Sequence, residues 1–566
     1  MIKGWFLTFI LAAAAQTGAD ASGALAGRVV NAQTGEPVRR ANVTLQIVSS
    51  AAGSSPQGPR MFNAVTGSDG QFRFERLAPG EYMVSAERTG FITGSPTGSG
   101  RRRMGTPVQI HDGESTEVEL ALQPTAVISG RVLDEDGEPA LRAHVMLLRR
   151  QYINGAWHMV GASSANTNDL GEYRLAFLNP GRYWLVASLN TPSRHGPGGE
   201  PVEIYAHTYY PQARQPAEAI PLDLTPGTEL RGIDIRLVKT TAVPVRGRVM
   251  GAGDEHVSVS LRPSEKTEGA PGNDHLTSAA PDGRFEFPRV IPGSYQLALH
   301  PASGQRRYVG WTEVEIGDGG AEGLEIRPFE WGAVKGRYRI EGSPPANAAA
   351  AKGQLRFQGQ PASASGAPPK PEMWRLRLVP VEEPREMLAP VEYGAGSDFQ
   401  IGGVPPGRYV VVLLGRPPGT YLKAVLADGE DFLQSGFRVA EGATVSIELV
   451  FARDVAQARG TVLEAKGQPI PGAMVTFIPV GYRGPEWDQP GGPRSLMADA
   501  KGRFQVFGLA PGEYIVQAWD EIESGAWFDP ELQKRTERFA SRVTLKQGEN
   551  PEVVLTVTPA GVARGY

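Results

Sequence analysis

The chain has 566 residues, 40% apolar and 21% charged, with 70 glycines, 47 prolines and no cysteine. Its 57 basic and 61 acidic side chains leave a net charge of -4, so no overall field draws it to nucleic acid or to an anionic surface. Thiolate catalysis, thiolate metal sites and disulfide staples are excluded. The glycine and proline content fits a protein with many tight turns.

The amino terminus reads MIKGWFLTFILAAAAQTGADAS. Lys3 precedes an apolar run from Trp5 to Ala15, too short to span a bilayer and of the length of an export signal's apolar segment. Cleavage patterns of small residues end at Ala15 and Ala21. Residues 1–21 are therefore expected to be a signal peptide, and the protein to be exported, to the periplasm or the extracellular space. No later stretch is apolar enough to cross a membrane.

Residues 22–124 form the first copy of a repeat. GRVV at Gly27 and ANVTLQI read as strands. In SDGQFRFERLAPGEYMVSA, Phe72 and Phe74 alternate with Gln71, Arg73 and Glu75, the period of a half-buried strand. Asp69-Gly70 supplies a turn whose glycine takes positive φ. Pro79-Gly80 is expected as a type II turn, again with glycine at positive φ. Tyr82, Val84 and Ala86 alternate as the next strand, so the stretch reads as a strand–turn–strand unit of set register. VQIHDGESTEVELAL closes the copy as a hairpin-like pair.

The same text recurs at 125–241, 242–330, 331–454 and 455–566, the fourth copy with a flexible insertion at 341–371. Gly80 and Tyr82 return as Gly181 and Tyr183, Gly293 and Tyr295, Gly407 and Tyr409, and Gly512 and Tyr514. Ten residues before each tyrosine stands Phe72, Tyr173, Phe285, Phe399 or Phe504. Each copy also opens on a strand with an early glycine: Gly27, Gly130, Gly247, Gly336 or Gly460. About seven short strands separated by turns, in about 100 residues, is the pattern of a Greek-key β-sandwich. The fold class is thus all-β, with tandem seven-stranded sandwiches. Linkers such as QPTAV and VKTTAVP are short, which points to a bent rod or a compact stack. DPELQKRTERFASR (529–542) reads as one or two helical turns in a loop.

Gly-Arg-Val, Gly-x-Pro, Asp-Gly-x-Phe and Pro-Gly-x-Tyr together resemble the carboxypeptidase regulatory-like domain, best in copies one, two and five. Copy three lacks Gly-x-Pro, and copy four lacks the Asp-Gly-x-Phe turn. The resemblance implies a transthyretin-like (prealbumin-like) sandwich, similar in architecture to carbohydrate-binding-like folds. It implies turn glycines and packed aromatics but no catalytic residues, since such modules are appended to many unrelated proteins.

The five repeated tyrosines read as buried rings whose hydroxyls bond nearby backbone, as in a tyrosine corner. His111-Asp-Gly-Glu114 matches the His-x-x-Glu of zinc carboxypeptidases, but a turn explains it, and no third ligand stands in a comparable context. Asp134 to Gly137 likewise lacks calcium-loop spacing. Arg101 to Gly105 is a short basic run in a Gly/Ser-rich loop, which solvation explains. No catalytic residue, metal or cofactor is expected. Aromatics off the repeat are the candidate ligand surface: Trp157, Tyr209, Tyr210, Trp311, Trp487 and Trp527. Exposed rings stack on sugar faces; buried ones plug sandwich ends and seams. The function expected is a non-catalytic binding or scaffold protein whose partners are carbohydrate, cell-envelope components or another exported protein. A mechanical spacer or adhesin segment is the alternative, and an accessory module of a metallocarboxypeptidase or other hydrolase comes third.

Overall fold

The computed structural model describes residues 23–50, 61–93, 106–153, 155–189, 202–251, 257–264, 274–300, 310–342, 375–381, 391–392, 398–414, 416–417, 419–484, 491–499 and 501–563. Residues 1–21, read above as a signal peptide, the Arg101–Gly105 run, nearly all of the 341–371 insertion and Trp487 lie outside the described residues. The described chain is all-β, and its longest helix spans only Pro530–Thr536. Asp529 caps that helix by accepting from the Glu531 amide at 3.0 Å. No described helix is long and apolar enough to cross a membrane.

One large buried cluster lies in each of residues 25–122, 126–237, 243–326, 334–451 and 456–557. These are modules 1 to 5 below. The chain divides into two compact units, the first ending at Leu122 and the second running from Gln123 onward.

Module 1 shows the plan. Its strands are β1 (Gly23–Asn31), β2 (Asn42–Ser50), β3 (Met61–Val65), β4 (Gln71–Leu77), β5 (Gly80–Glu87), β6 (Phe91–Thr93), β7 (Thr106–Ile110) and β8 (Ser115–Pro124). They form two four-stranded sheets, β4-β1-β8-β6 and β3-β2-β5-β7. The first strand runs antiparallel to β4 and parallel to β8. The same antiparallel and parallel partners flank the first strand of every other module.

Two local expectations change here. The closing pair is not a hairpin: β7 pairs with β5 in one sheet, and β8 with β1 in the other. Nor are β4 and β5 hydrogen-bonded neighbours, because the Pro-Gly turn carries the chain from one sheet to the other. Alternation tells which side chains face the core, and both arrangements put the same ones there. The constant ten-residue spacing is therefore the span of a sandwich corner and not a hairpin register. Each corner begins with a break in the ladder, at Gly23/Leu25 in module 1 and at the matching place in the other four. In modules 4 and 5 the bulged residue is Gly403 or Gly508, both at φ +70°.

The glycines after proline also differ from the type II reading. Gly181, Gly293, Gly407 and Gly512 stand at φ 147°, 157°, 158° and 152°, far from the roughly +80° of a type II turn. The chain is already extending into the next strand at that point. The glycines two residues before the first aromatic do adopt positive φ: Gly70, Gly171, Gly283 and Gly502 lie between 69° and 82°. Each gives its carbonyl to the first strand, as Gly70 does to the Val29 amide at 2.8 Å.

Modules 2 to 5, all in the second unit, touch in sequence and then close on themselves. Val202–Tyr205 of module 2 pairs antiparallel with the start of Lys239–Val249, the first strand of module 3. Arg327 grips Glu441 at 2.9 and 3.3 Å between modules 3 and 4. Arg416 of module 4 reaches the Gly508 carbonyl of module 5 at 3.4 Å. Module 5 returns to module 2, where the Tyr152 amide donates to the Ser524 carbonyl at 3.2 Å. Short linkers alone do not foretell this return, because it joins surfaces more than 370 residues apart.

Acid is expected to loosen the join between modules 2 and 3. Lys239 pairs with Glu135, and the Tyr205 hydroxyl donates to Glu135 at 2.5 Å. These two bonds, Lys239 first, hold the Glu135 carboxyl down at about 2. A depressed carboxylate contributes stability above its ordinary value, and that contribution is lost as pH falls through the folded value. Burial holds His207, in the same join, at about 4, and no protein atom bonds its buried Nδ1. The unfolded chain takes up that proton first, so stability falls between pH 6.5 and about 4. Hydrogen-exchange protection of the Val202–Tyr205 amides is expected to fall across that range, and again toward pH 2. Glu135→Gln is expected to remove the second fall and spare the first. A protection profile flat with pH would refute this account of the join.

Candidate functional site

The repeated residues are consumed by packing. Across the first and fourth strands, Gly27 faces Phe72, Gly130 faces Tyr173, Gly247 faces Phe285, Gly336 faces Phe399 and Gly460 faces Phe504. In four of these pairs the ring lies where a side chain on the glycine would go: a Cβ on Gly336 would stand 2.1 Å from the Phe399 ring. In module 2 the obstacle is the Ile233 carbonyl, 2.0 Å from a Cβ on Gly130. Sequence reading recognised these glycines only as strand markers, since their partners lie 38 to 63 residues onward.

The five tyrosines are buried. Their hydroxyls donate to the carbonyl four residues earlier: Tyr82 to Ala78 at 2.9 Å, Tyr183 to Asn179 at 2.9 Å, Tyr295 to Ile291 at 2.7 Å, Tyr409 to Pro405 at 2.8 Å, and Tyr514 to Ala510 at 2.9 Å. Each bond ties the end of one sheet to the start of the other. Burial raises the hydroxyl pKa of Tyr183, Tyr295, Tyr409 and Tyr514. All five rings are committed to the cores of their modules.

The aromatics off the repeat fall in several places. Tyr209 is 2% exposed and packs with Leu148, Met159 and Trp184. Tyr210 is half-buried against the module 2 core, and its amide donates to Leu185 at 2.9 Å. Trp311 is half-buried and meets Phe329 edge to face, with ring centroids 4.5 Å apart. Trp157 and Trp527 come together at the seam where module 5 meets module 2.

That seam is the most developed site of the second unit. Module 2 supplies the hairpin of His144–Ile153 and Ala156–Asn166; module 5 supplies the segment after Trp519. Tyr152 meets Trp157 edge to face at 5.3 Å, and the Arg150 guanidinium lies 5.2 Å from the Trp157 ring centre. The Trp157 indole donates to Asp529 at 3.3 Å, and the Gln151 amide to the Ser524 hydroxyl at 3.4 Å. Gly525 sits at φ +78° directly under the Tyr152 carbonyl. Beside these contacts is a cavity of about 60 Å³, lined by Arg149, Arg182, Tyr183, Glu521 and Glu523 among others. Arg182 is clamped by Asp223 at 2.8 and 3.1 Å. A cavity of this size admits a few waters, far short of the several hundred Å³ of ligand pockets. Its mixed charges and Trp–carboxylate bond are those of a built interface. Serine, histidine and carboxylate do not converge in it as a nucleophile with its base would.

His111 to Glu114 occupies the connection between β7 and β8, and the Glu114 carbonyl accepts from Ala24 at 2.9 Å. Among the described residues no three His, Asp or Glu side chains are grouped to hold a metal.

No curated protein matches the chain. Solved structures similar to it include the minor pilin GBS52 of Streptococcus agalactiae, 15% identical, covering 39% of this chain and 98% of that one, with a TM-score of 0.22. The two B repeat units of the collagen binding protein of Staphylococcus aureus are 12% identical, covering 76% and 100%, with a TM-score of 0.12. The major pilin subunit BcpA of Bacillus cereus is 11% identical, covering 54% and 99%, with a TM-score of 0.15. Superpositions this slight bear on neither partner nor activity. The family comparison is more pointed: two consecutive stretches of the chain, residues 24–123 and 127–194, match the carboxypeptidase regulatory-like domain, the family that their glycine and aromatic motifs resemble.

Proposed function

We propose that this protein is a non-catalytic scaffold of five carboxypeptidase regulatory-like modules that acts outside the cytoplasm and binds cell-envelope components or another exported protein. The observation that carries the reading is the use of the repeated residues. In all five modules the glycine–aromatic pair and the tyrosine corner are spent on internal contacts. The extension to modules 3, 4 and 5 rests on that shared geometry. Export rests on the composition of residues 1–21.

Carbohydrate is the ligand class that the half-buried Trp311 favours, because its ring keeps some surface while Phe329 holds it from one side. Two experiments test the proposal. A full-length fusion to a reporter active only outside the cytoplasm is expected to be active, and to lose activity when residues 1–21 are deleted. Purified protein on a glycan array is expected to bind, with binding lost in Trp311→Ala at unchanged melting temperature. Peptidase activity stimulated by added zinc would overturn the non-catalytic reading, and an inactive fusion would overturn the export reading.

A further inference from the structure

We propose that module 1 carries a self-association edge, where β3 pairs with β3 of a second copy of this chain, antiparallel and centred on Asn63. β3 is the outermost strand of the sheet β3-β2-β5-β7 and, among the described residues, is bonded to β2 alone. An edge strand presents unpaired N–H and C=O groups, and proteins commonly blunt it with lysine, proline or a bulge. β3 has none of these. It reads MFNAV, and its register with β2 runs without a break from Met61 to Val65. Phe62 and Ala64 pack against the module core. Met61 and Val65 point to the opposite face, two positions either side of Asn63, and are 57% and 61% exposed.

A second copy is the occupant whose chemistry fits. An antiparallel pair about a two-fold axis at Asn63 sets Met61 opposite Val65 of the second copy, and Asn63 opposite itself. Each exposed apolar side chain then gains an apolar cross-strand neighbour. The strand carries no charge, so no like charges meet across the axis. The Asn63 Oδ1 accepts from the Thr44 hydroxyl at 3.0 Å, which leaves the side-chain N–H groups to donate to the second copy.

The same edge is already a contact surface elsewhere in the chain. In module 2 the matching strand, Ala156–Asn166, also lies at a sheet edge beside the second strand of its module. It meets module 5 through the bond from Trp157 to Asp529. A strand of five residues buries less than the roughly 1,200 Å² of a stable interface. A dissociation constant in the micromolar range is therefore expected.

The test uses the full-length protein in sedimentation velocity across the micromolar range. The parent is expected to pass from monomer to dimer as concentration rises, and its β3 amides to gain hydrogen-exchange protection in step. Asn63 is exposed, so Asn63→Lys and Asn63→Glu are tolerated by the fold, with exchange elsewhere in module 1 unchanged. Each variant alone sets like charges face to face and is expected to raise the dissociation constant at least about tenfold. An equal mixture of the two is expected to recover dimer, because the facing charges are then opposite. That recovery also shows that both variants are folded at β3. A parent that stays monomeric overturns the proposal. So does a dimer that persists unchanged in Asn63→Lys, or a mixture that associates no better than either variant alone.

Discussion

Gly460→Ala is expected to destabilise module 5 strongly. A Cβ at that position would lie 1.9 Å from the Val553 carbonyl and 2.5 Å from the tip of the Phe504 ring. Neither obstacle is free to move. Val553 is paired in parallel register with Gly460 itself. Phe504 is buried, with its ring 6.0 Å from that of Phe477. The added methyl must therefore split a ladder or expel a core ring, an overpacking cost of about 3 kcal/mol. Hydrogen exchange read on module 5 peptides is the measurement of choice, since a chain of several modules does not melt as a two-state system. Exchange in residues 456–558 should accelerate strongly, while module 1 peptides stay protected. Gly317→Ala is the companion, since its Cβ would meet nothing within 4 Å, and a change within about 0.5 kcal/mol is expected. Equal protection in Gly460→Ala and the parent would mean that the glycine–aromatic pairing does not hold the sheet together.

The second large effect concerns the seam. Gly525→Ala is expected to release module 5 from module 2 while both stay folded. Gly525 is in the left-handed region, which costs a residue with a Cβ about 1 kcal/mol, and its new methyl would stand 2.0 Å from the Tyr152 carbonyl. That carbonyl belongs to the other module, so strain is relieved by separation. The chain has no cysteine, which makes a cross-link assay clean. Gln151→Cys with Ser524→Cys places thiols on the two faces of the seam, whose present side chains meet at 3.4 Å; cysteine is shorter than glutamine, so a short thiol-reactive cross-linker is used in place of a direct disulfide. With that cross-linker this pair is expected to close within one molecule. Adding Gly525→Ala should slow closure at least about tenfold, equivalent to about 1.4 kcal/mol. Unchanged cross-linking in the Gly525→Ala background would show that the two surfaces are not held by this contact.

The turn-glycine and tyrosine pattern is legible in the sequence because its causes are short-ranged. Alternation at Phe72 and Phe74, the positive φ of Gly70, the reach of Tyr82 to a carbonyl four residues back and the capped turn at Asp529 all depend on a few neighbouring residues. Pairing is not legible in the same way. Alternation places Val108 and Leu120 inward but is silent on whether the strands carrying them bond each other or opposite sheets. The identity of Gly460 is explained by Phe504, 44 residues away, and only the ladder joins them.

The residues that join one module to another lie further still beyond sequence reading. Trp157 and Asp529, or Arg416 and Gly508, are unremarkable apart in the chain and meaningful only where two finished surfaces meet. The sequence by itself determined the all-β class, the repeat and the residues that build each core. The tertiary structure alone decided which strands are neighbours, that modules 2 to 5 close on themselves, and where charges gather. Turn and strand preferences act over a few residues, whereas module contacts depend on the shape and charge of surfaces that exist only after each module has folded.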